Sequence, residues 1–253
     1  MLHPDFLRLP IAHRALHDRA AGRPENSRAA VRAAVAAGYG IEIDVQPSAD
    51  GVPMVFHDYD LKRLTGVAGP ARGRSAAELG ATRLLDAEDG IPTLAEVLEI
   101  VAGHVPLLIE LKDQDGAMGP DVGPMERAVA AALAGYAGPV AVMSFNPHAV
   151  AAFHAVAPDI AVGLTTSAYR PEDWTLLPAA VRTDLAQIPD YDRVGACFIS
   201  HEAADLGRAR VAALKAQGAA VLCWTIRSPE AEAKARRIAD NITFETYLAA
   251  QPA

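Results

Sequence analysis

Basic residues and cysteines are both scarce in this sequence of 253 residues. Its 31 Asp and Glu residues outnumber its 23 Lys and Arg residues, which gives a formal net charge of −8. Such a charge opposes the neutralisation of phosphates that non-specific nucleic-acid binding requires, so we expect no nucleic-acid partner. The two cysteines, Cys197 and Cys223, lie in apolar runs. We expect buried free thiols there, as suits a reducing compartment.

The sequence also lacks a recognisable secretory signal and a long apolar run. Residues 1–6 contain neither a basic segment nor an apolar one, so we expect a cytoplasmic protein. The longest stretch without Asp, Glu, Lys or Arg is 128–158, but Gly-Pro at 138–139 and Asn-Pro at 146–147 interrupt it. It is therefore not expected to insert into a membrane. Hydrophobic residues make up 51% of the chain, which excludes intrinsic disorder.

Short apolar runs alternate with Ala-rich helical patterns along the whole chain. Most junctions carry Gly, Pro or a capping residue, which is typical of βα units. The predicted strands are 9–13, 41–46, 106–112, 140–145, 160–164, 195–200, 220–226 and 241–244. The predicted helices are 27–37, 93–102, 124–133, 147–155, 171–181, 206–217 and 229–239. Eight strands with helices between them predict an α/β fold, the (β/α)8 TIM barrel, which commonly takes about 250 residues.

Residues 58–90 interrupt this alternation. They are richer in Gly, Arg and Ser than their surroundings and are too long for a single βα loop, so we interpret them as an insertion after the second strand. Residues 1–253 are then expected to form one barrel domain. An insertion over one mouth of a barrel usually shapes a substrate pocket.

Acidic and apolar side chains alternate along the predicted strand 41–46. Glu42 and Asp44 share one face of it, and its apolar residues share the other. An antiparallel strand with one wet face would also give this pattern, but in a parallel barrel both faces are covered and one points inward. Two carboxylates inside a barrel must be protonated, paired with cations or bound to a metal.

The predicted strand 106–112 repeats this arrangement. Glu110 and Lys112 share one face, and the acid again lies near the carboxyl end of the strand. Three carboxylates converging at that end of a barrel form a hard oxygen site, which suits Mg²⁺ or Ca²⁺ better than zinc. Lys112 is one of four lysines in a chain with nineteen arginines. A simple Glu110–Lys112 ion pair is the alternative interpretation.

Two histidines are expected at the same mouth of the barrel. His13 ends the first predicted strand, and His57 follows the acidic strand. Imidazole has an ordinary pKa of about 6.5, so one copy can act as a base and another as an acid near neutral pH. A histidine after a strand is also a common surface or capping residue, and that alternative stays open. Arg14 adds a fixed cation whose fork geometry suits a phosphate.

Seven segments occur in a characteristic order along the chain. They are His13-Arg14, Pro24-Glu25-Asn26-Ser27, Glu42-Ile43-Asp44-Val45, Val55-Phe56-His57-Asp58, Ile91-Pro92-Thr93-Leu94-Ala95-Glu96-Val97, Leu108-Ile109-Glu110-Leu111-Lys112 and Trp224-Thr225-Ile226. Together these segments resemble the motifs of the bacterial glycerophosphodiester phosphodiesterases. The resemblance extends from the first predicted strand to the seventh, so it covers nearly the whole chain.

This resemblance implies a TIM barrel with a small insertion after the second strand, a divalent cation, and hydrolysis of a small-molecule glycerophosphodiester to sn-glycerol 3-phosphate and an alcohol. It implies catalytic roles for His13 and His57, metal coordination by Glu42, Asp44 and Glu110, and phosphate binding by Arg14 and Lys112. It also implies that Glu25 lies close to the metal and to the catalytic histidine.

Two of the implied positions have ordinary structural alternatives. Glu25 precedes a predicted helix, where a negative charge is favourable by itself. Trp224 is interpreted as a contact for the glycerol or the leaving alcohol, with a core position at the barrel rim as the alternative.

Three segments depart from the family pattern. Ala15 stands where the family usually has Gly, and its methyl group is expected to narrow the phosphate site. Arg227 stands where Asn is common, and residues 241–245 read Asn-Ile-Thr-Phe-Glu in place of Gly-Ile-x-Thr-Asp. These departures leave the implied metal and histidine positions intact but border the substrate, so they leave the alcohol undefined.

Several functional alternatives stay open from the sequence. A related barrel that cleaves lysophospholipids would keep the same carboxylates, and a catalytically silent metal-binding module could do so as well. The sequence does not assign the acid and base roles to individual histidines. It also leaves open whether water or the glycerol 2-hydroxyl is the nucleophile, and what the oligomeric state is.

Overall fold

Parallel strands form a closed barrel in the computed structural model, which describes residues 1–252. The barrel strands within those residues are β1 (Ile11–Ala12), β2 (Gly40–Pro47), β4 (Leu107–Leu111), β5 (Val140–Ser144), β6 (Ala161–Thr166), β7 (Phe198–Glu202), β8 (Ala220–Ile226) and β9 (Asn241–Phe244). The short strand β3 (Pro53–Val55) pairs antiparallel with β2. Because β1 pairs with both β2 and β9, the ring closes, and the predicted (β/α)8 barrel is confirmed.

Helices connect the strands on the outside of the barrel. Those of the described residues are α1 (Asp5–Arg8), α2 (Arg28–Ala37), α3 (Lys62–Thr65), α4 (Ala76–Ala81), α5 (Leu94–Val101), α6 (Pro124–Leu133), α7 (Pro147–Val156), α8 (Ala179–Leu185), α9 (Ala209–Ala216) and α10 (Pro229–Ala235). Short 3₁₀ turns lie at Arg19–Ala21, Ala71–Gly73 and Ala203–Asp205. Residues of the strands and of the inward helix faces form the main hydrophobic core.

Local sequence signals set the ends of α2. The Ser27 side chain accepts a hydrogen bond from the backbone N–H of Ala30 and so caps the first turn. Gly38 ends the helix at φ 72°, a left-handed conformation that glycine adopts without strain. Ala30, Val31 and Ala34 are buried against the barrel, as the apolar stripe predicts. This helix fixes the loop that precedes it, which carries Asn26.

The helix predicted at 171–181 is wrong in its position. Residues 171–178 form turns, and α8 begins at Ala179, directly after Pro178. Proline restricts the residue before it to extended conformations, so a helix is interrupted at the residue preceding Pro178. The predicted helices 206–217 and 229–239 also extend beyond the observed α9 and α10.

Residues 53–93 form a small layer beside the barrel. It contains β3, α3 and α4, and its buried apolar residues form a separate cluster around Phe56, Leu61 and Leu79. The chain returns to α5 past Gly90, where a Cβ atom would lie 1.9 Å from the carbonyl oxygen of Gly80. Glycine is therefore required at that crossing. This layer carries the loop after β3, on which His57 lies.

Two further predictions concern the burial of the cysteines and insertion into a membrane. Both cysteines are free, and Cys223 is buried as predicted, whereas Cys197 is half-buried. Cys197 directly precedes β7 and packs against the smaller core cluster, which contains Leu2 and Phe6. Within residues 1–252, no helix combines the length and the apolar character needed to cross a membrane.

Candidate active site

Three carboxylates meet at the carboxyl ends of two neighbouring strands. Asp44 of β2 is the register partner of Glu110 of β4, and Glu42 precedes Asp44 on the same face of β2. Carboxylate oxygens of these three residues lie within 4.8 Å of one another, and all three side chains are buried. The acidic face of β2 therefore points into the barrel, and not toward solvent.

The loop after β1 holds the carboxylates of β2 from one side. The backbone N–H of Arg14 donates to Glu42 Oε2 at 2.8 Å, and Asn26 Nδ2 donates to Asp44 Oδ2 at 2.9 Å. Arg14 and Asn26 have φ values of 51° and 58°, which non-glycine residues seldom adopt. These conformations aim both donors at the acids of β2.

Lys112 bridges two of the acids. Its Nζ lies 2.9 Å from Glu110 Oε1 and 3.4 Å from Asp44 Oδ1. Burial alone would lower the pKa of Lys112, but the charges of Glu110 and Asp44 raise it, so the ammonium group stays charged. The Glu110–Lys112 pair therefore exists, but it forms part of the acid cluster and does not replace it.

The charges in this cluster are unevenly compensated. Burial and the charges of Asp44 and Glu110 raise the pKa of Glu42 well above its ordinary value. Burial would also raise the pKa of Asp44, but the charges of His57, Lys112 and Arg14 outweigh it and hold that pKa low. A buried set of oxygen donors with this repulsion fits a hard divalent cation, because the cation offsets the charge that raises the pKa of Glu42.

The two predicted histidines face the same small cavity as the acids. His13 lies directly after β1, and His57 lies on the loop after β3. Both histidines line this cavity, as do Glu42, Asp44 and Glu110. Each histidine has a carboxylate at Nδ1. His13 Nδ1 lies 2.6 Å from Glu245 Oε2, and His57 Nδ1 lies 2.8 Å from Asp58 Oδ1.

A larger cavity of about 1080 Å³ adjoins the small one. Both cavities share walls formed by His57, Glu110, Lys112, Phe145 and Trp224. The indole Nε1 of Trp224 donates to the carbonyl oxygen of Ser200 at 3.0 Å, and its ring packs edge-on against Phe145 with centroids 5.5 Å apart. Trp224 therefore lines the cavity wall in a fixed orientation.

Glu25 lies beside the site and not among the three carboxylates. Its Oε1 accepts from Arg14 Nη1 at 2.6 Å and from Arg63 Nη2 at 2.8 Å. Arg63 also donates through Nε to Asp58 Oδ2 at 2.6 Å. A chain of ion pairs thus connects Arg14 to the carboxylate that contacts His57. The side chain of Glu25 binds two arginines, so the simple helix-terminus alternative does not account for it.

Several residues of this site were missed by the sequence reasoning. Asn26 and Asp58 directly follow Glu25 and His57 in two of the seven ordered segments, and this adjacency is a signal for their involvement. Glu245 is one of the departures expected to border the substrate, but no local sequence pattern connects it to His13. Arg63 belongs to the insertion and carried no signal.

The expectation that Ala15 narrows the phosphate site is wrong. Ala15 is buried in the main hydrophobic core, and neither cavity has it in its wall. Its φ of 65° lies in the left-handed region, which explains why glycine suits this position.

Several solved structures share the fold of this chain. A phosphodiesterase from Oleispira antarctica, solved in complex with the product sn-glycerol-3-phosphate, is 27% identical to this chain with a TM-score of 0.73; the match covers 94% of this chain and 93% of that one. A glycerophosphodiester phosphodiesterase from Parabacteroides distasonis is 23% identical with a TM-score of 0.75, over 94% and 92% of the two chains. One from Thermotoga maritima is 22% identical with a TM-score of 0.69, over 94% of each chain.

The sequence itself carries the family assignment. No curated protein sequence matches this chain at a significant level. The profile of the glycerophosphoryl diester phosphodiesterase family, in contrast, matches residues 13–243, from the histidine after β1 to the last barrel strand. The chain therefore belongs to the glycerophosphoryl diester phosphodiesterase family, a family of enzymes.

Proposed function

We propose that this protein hydrolyses glycerophosphodiesters to sn-glycerol 3-phosphate and an alcohol. The observation that carries the proposal is the convergence of three buried carboxylates, two histidines and two cations on one small cavity. The product named for the similar Oleispira antarctica phosphodiesterase, sn-glycerol-3-phosphate, supports this choice of substrate. The half-buried and buried free thiols suit the reducing cytoplasm, where we propose that the protein acts.

In this proposal Glu42, Asp44 and Glu110 hold a divalent cation, Mg²⁺ or Ca²⁺. Bound there, the cation would offset the negative charge that develops on a nonbridging phosphate oxygen. Arg14 and Lys112 border the same cavity and bind the phosphate by charge-assisted hydrogen bonds. Trp224 contacts the alcohol portion of the substrate, because it lines both cavities.

We assign the general-acid and general-base roles to individual histidines from the cavities that they line. His57 lines both cavities, whereas His13 lines the small one and not the large one. If the large cavity receives the leaving alcohol, His57 is the residue that protonates the leaving oxygen. His13 then removes the proton from the nucleophile, either water or the glycerol 2-hydroxyl. Detection of a cyclic glycerophosphate by ³¹P NMR would identify the 2-hydroxyl.

The insertion contributes to the same cavity in this proposal. Asp58, Tyr59, Lys62 and Arg63 line the large cavity, and all four come from the segment 58–90. We propose that residues 1–253 act as one barrel domain whose insertion forms a wall of the substrate pocket.

Chelation is expected to abolish turnover, and addition of Mg²⁺ or Ca²⁺ is expected to restore it. Zinc should restore it poorly, because the set contains no thiolate or imidazole ligand and favours six or more oxygen ligands. The measurement is release of sn-glycerol 3-phosphate from glycerophosphodiesters with different alcohols, with a lysophospholipid included in the panel. Full activity in excess chelator would contradict the metal site. Turnover of the lysophospholipid alone would favour a related phosphodiesterase that acts on lysophospholipids. If no substrate is turned over, the protein would instead be a catalytically silent metal-binding module.

The activity should fall at low pH through a pKa below 6.5. Burial lowers the pKa of His13 below its ordinary value of 6.5, and the charge of Arg14 lowers it further, against the opposing effect of Glu245. A base must be unprotonated, so kcat/KM is lost as the pH falls through this lowered pKa and is retained above it. The profile of kcat/KM against pH should be measured with metal saturating at every pH. An acid limb centred at or above 6.5 would exclude His13 as the base.

A further inference from the structure

Two positions at which this chain departs from the family pattern contact each other. Arg227, which follows β8, donates through Nε to Glu245 Oε1 at 2.7 Å, and Glu245 follows β9. The other carboxylate oxygen, Oε2, is the atom that lies 2.6 Å from His13 Nδ1. The two departures therefore form one unit with a histidine of the site.

The backbone holds these three residues at a common level of the barrel. The N–H of Glu245 donates to the carbonyl oxygen of Ile226 at 2.9 Å, and the N–H of His13 donates to that of Phe244 at 2.8 Å. The ends of β8, β9 and β1 are thus connected in sequence around the ring. This connection fixes the distance across which the three side chains must reach.

We propose that Glu245 is a positioning residue for His13 and that Arg227 fixes the Glu245 carboxylate. The inference rests on the proposed role of His13. A carboxylate at Nδ1 accepts a hydrogen bond from Nδ1–H, which selects the imidazole tautomer whose Nε2 carries the free lone pair. In this tautomer Nε2 can take the proton of the nucleophile.

The hydrogen bond between His13 and Glu245 is largely shielded from solvent. The side chains of His13 and Glu245 are 13% and 14% exposed, so their hydrogen bond is little screened by water. Although burial would raise the pKa of Glu245, its contacts with His13 and His17 hold that pKa far below the ordinary value. Arg227 is 61% exposed, so its ion pair with Glu245 is weaker and its effect on catalysis should be smaller.

His17 is the other neighbour of this carboxylate. Its Nε2 lies 3.5 Å from Glu245 Oε2, beyond normal hydrogen-bond distance, whereas His13 is 0.9 Å closer to the same oxygen. The shorter contact is therefore directed at the histidine that lines the small cavity.

The other histidine of the site has an equivalent arrangement. The carboxylate of Asp58 lies at His57 Nδ1, and Arg63 donates to that carboxylate. Each site histidine thus has a carboxylate at Nδ1, and each carboxylate is held by an arginine. This repetition supports a shared requirement for a defined tautomer.

Glu245 and Arg227 both have long side chains, and Glu245 contacts His13 and Arg227 at the same time. Aspartate is one methylene shorter than Glu245, so the Glu245→Asp variant tests whether both contacts need the longer side chain. A long arginine can in turn reach the oxygen that faces away from His13. Substitutions at two residues in contact should therefore have non-additive effects.

The test compares Glu245→Ala with Glu245→Gln, Glu245→Asp, Arg227→Gln and an Asp5→Asn control. Asp5 also pairs with an arginine, Arg8 at 3.0 Å, but it lies before β1 at the opposite end of the barrel. Kinetics on one glycerophosphodiester with saturating metal are combined with ¹⁵N NMR of the His13 imidazole, which reports the tautomer directly. Thermal unfolding identifies variants that fail to fold.

We expect Glu245→Ala to lower kcat by about 10- to 100-fold, as when a residue that orients a metal-ligating histidine is removed, with little change in KM. Its NMR spectrum should move toward the Nε2–H tautomer. Glu245→Gln keeps an acceptor oxygen and should recover much of kcat, and Glu245→Asp should recover less. Arg227→Gln alone should lower kcat modestly. Added to Glu245→Ala, it should lower kcat no further than Glu245→Ala does by itself. Asp5→Asn should match the wild type.

Two outcomes separate this inference from the proposed function. A wild-type protein without turnover refutes the proposed function, while the tautomer in the Glu245 variants still tests the contact with His13. An active wild type, together with a folded Glu245→Ala variant of unchanged kcat and tautomer, would overturn the positioning role. A variant that has lost stability but keeps kcat per folded molecule would show a purely structural role.

Discussion

The Glu110→Gln variant is expected to be nearly inactive and to lose most of the stabilisation that metal gives the wild type. In chelator it should unfold at or above the wild-type temperature, because one of three mutually repelling buried carboxylates has been neutralised. Lys112 keeps a charged neighbour, since its Nζ lies 3.4 Å from Asp44 Oδ1. The Gln amide oxygen can also accept from Lys112. Thermal unfolding of both proteins with chelator and with Mg²⁺ or Ca²⁺ measures these effects.

The size of the metal effect can be estimated. A cation that binds the native state alone, present at 100 times its Kd, raises the free energy of unfolding by about 2.7 kcal/mol. For a chain of this size, each kcal/mol raises Tm by about 2–4 °C. The wild type should therefore gain about 5–11 °C. The variant should gain much less.

Glu126→Gln is a matched control for this experiment. Glu126 is also buried, but its carboxylate accepts from the backbone N–H of Gly123 at the start of α6, away from the acid cluster. We expect this control to keep its activity and its metal-induced shift, even where its cap is weakened. A Glu110→Gln variant that is strongly destabilised in chelator and still responds to metal would instead favour a structural Glu110–Lys112 pair.

Replacing His57 by Ala is expected to lower kcat by about 10²- to 10⁴-fold on a natural glycerophosphodiester, because the alkoxide must then leave without a proton. With a nitrophenyl ester the leaving group is already acidic and needs little protonation. The His57→Ala variant should therefore recover most of its activity on that substrate. The measurement is the ratio of kcat values on the two substrates.

His13→Ala should lose activity to a similar extent on both substrates, since a base is needed whichever group leaves. His104→Ala is the control, because His104 is exposed at the turn after α5, at the other end of the barrel. Equal losses by His13→Ala and His57→Ala on both esters would remove the division into base and acid. The reverse pattern would exchange their roles.

Much of the barrel and of its acid cluster could be predicted because strand periodicity is a local property. Alternation along β2 placed Glu42 and Asp44 on one face, and the common direction of parallel strands brought Glu110 to the same edge. The same rule predicts His13 at this mouth, whereas His57 reaches it after β3, which runs antiparallel to β2.

The parts that escaped prediction depend on contacts between distant segments. The approach of Glu245 to His13 exists because the last strand pairs with the first, 232 residues earlier in the chain. The contacts of Arg63 depend on how the insertion folds over the barrel. The helix α8 begins later than predicted because Pro178 interrupts an otherwise helical pattern. No short-range pattern reports such contacts.

The groups with proposed chemical roles and the aromatic side chains of the large cavity come from different parts of the chain, and this separation bears on how such an enzyme can change. Both histidines and the three carboxylates come from residues 13–110, whereas Phe145, Trp174 and Trp224 of the large cavity come from loops and strands of the second half. Mutations at these aromatic positions can therefore alter which alcohol is accepted while cleavage of the phosphate ester continues. New substrate preferences could arise in this barrel without an inactive intermediate.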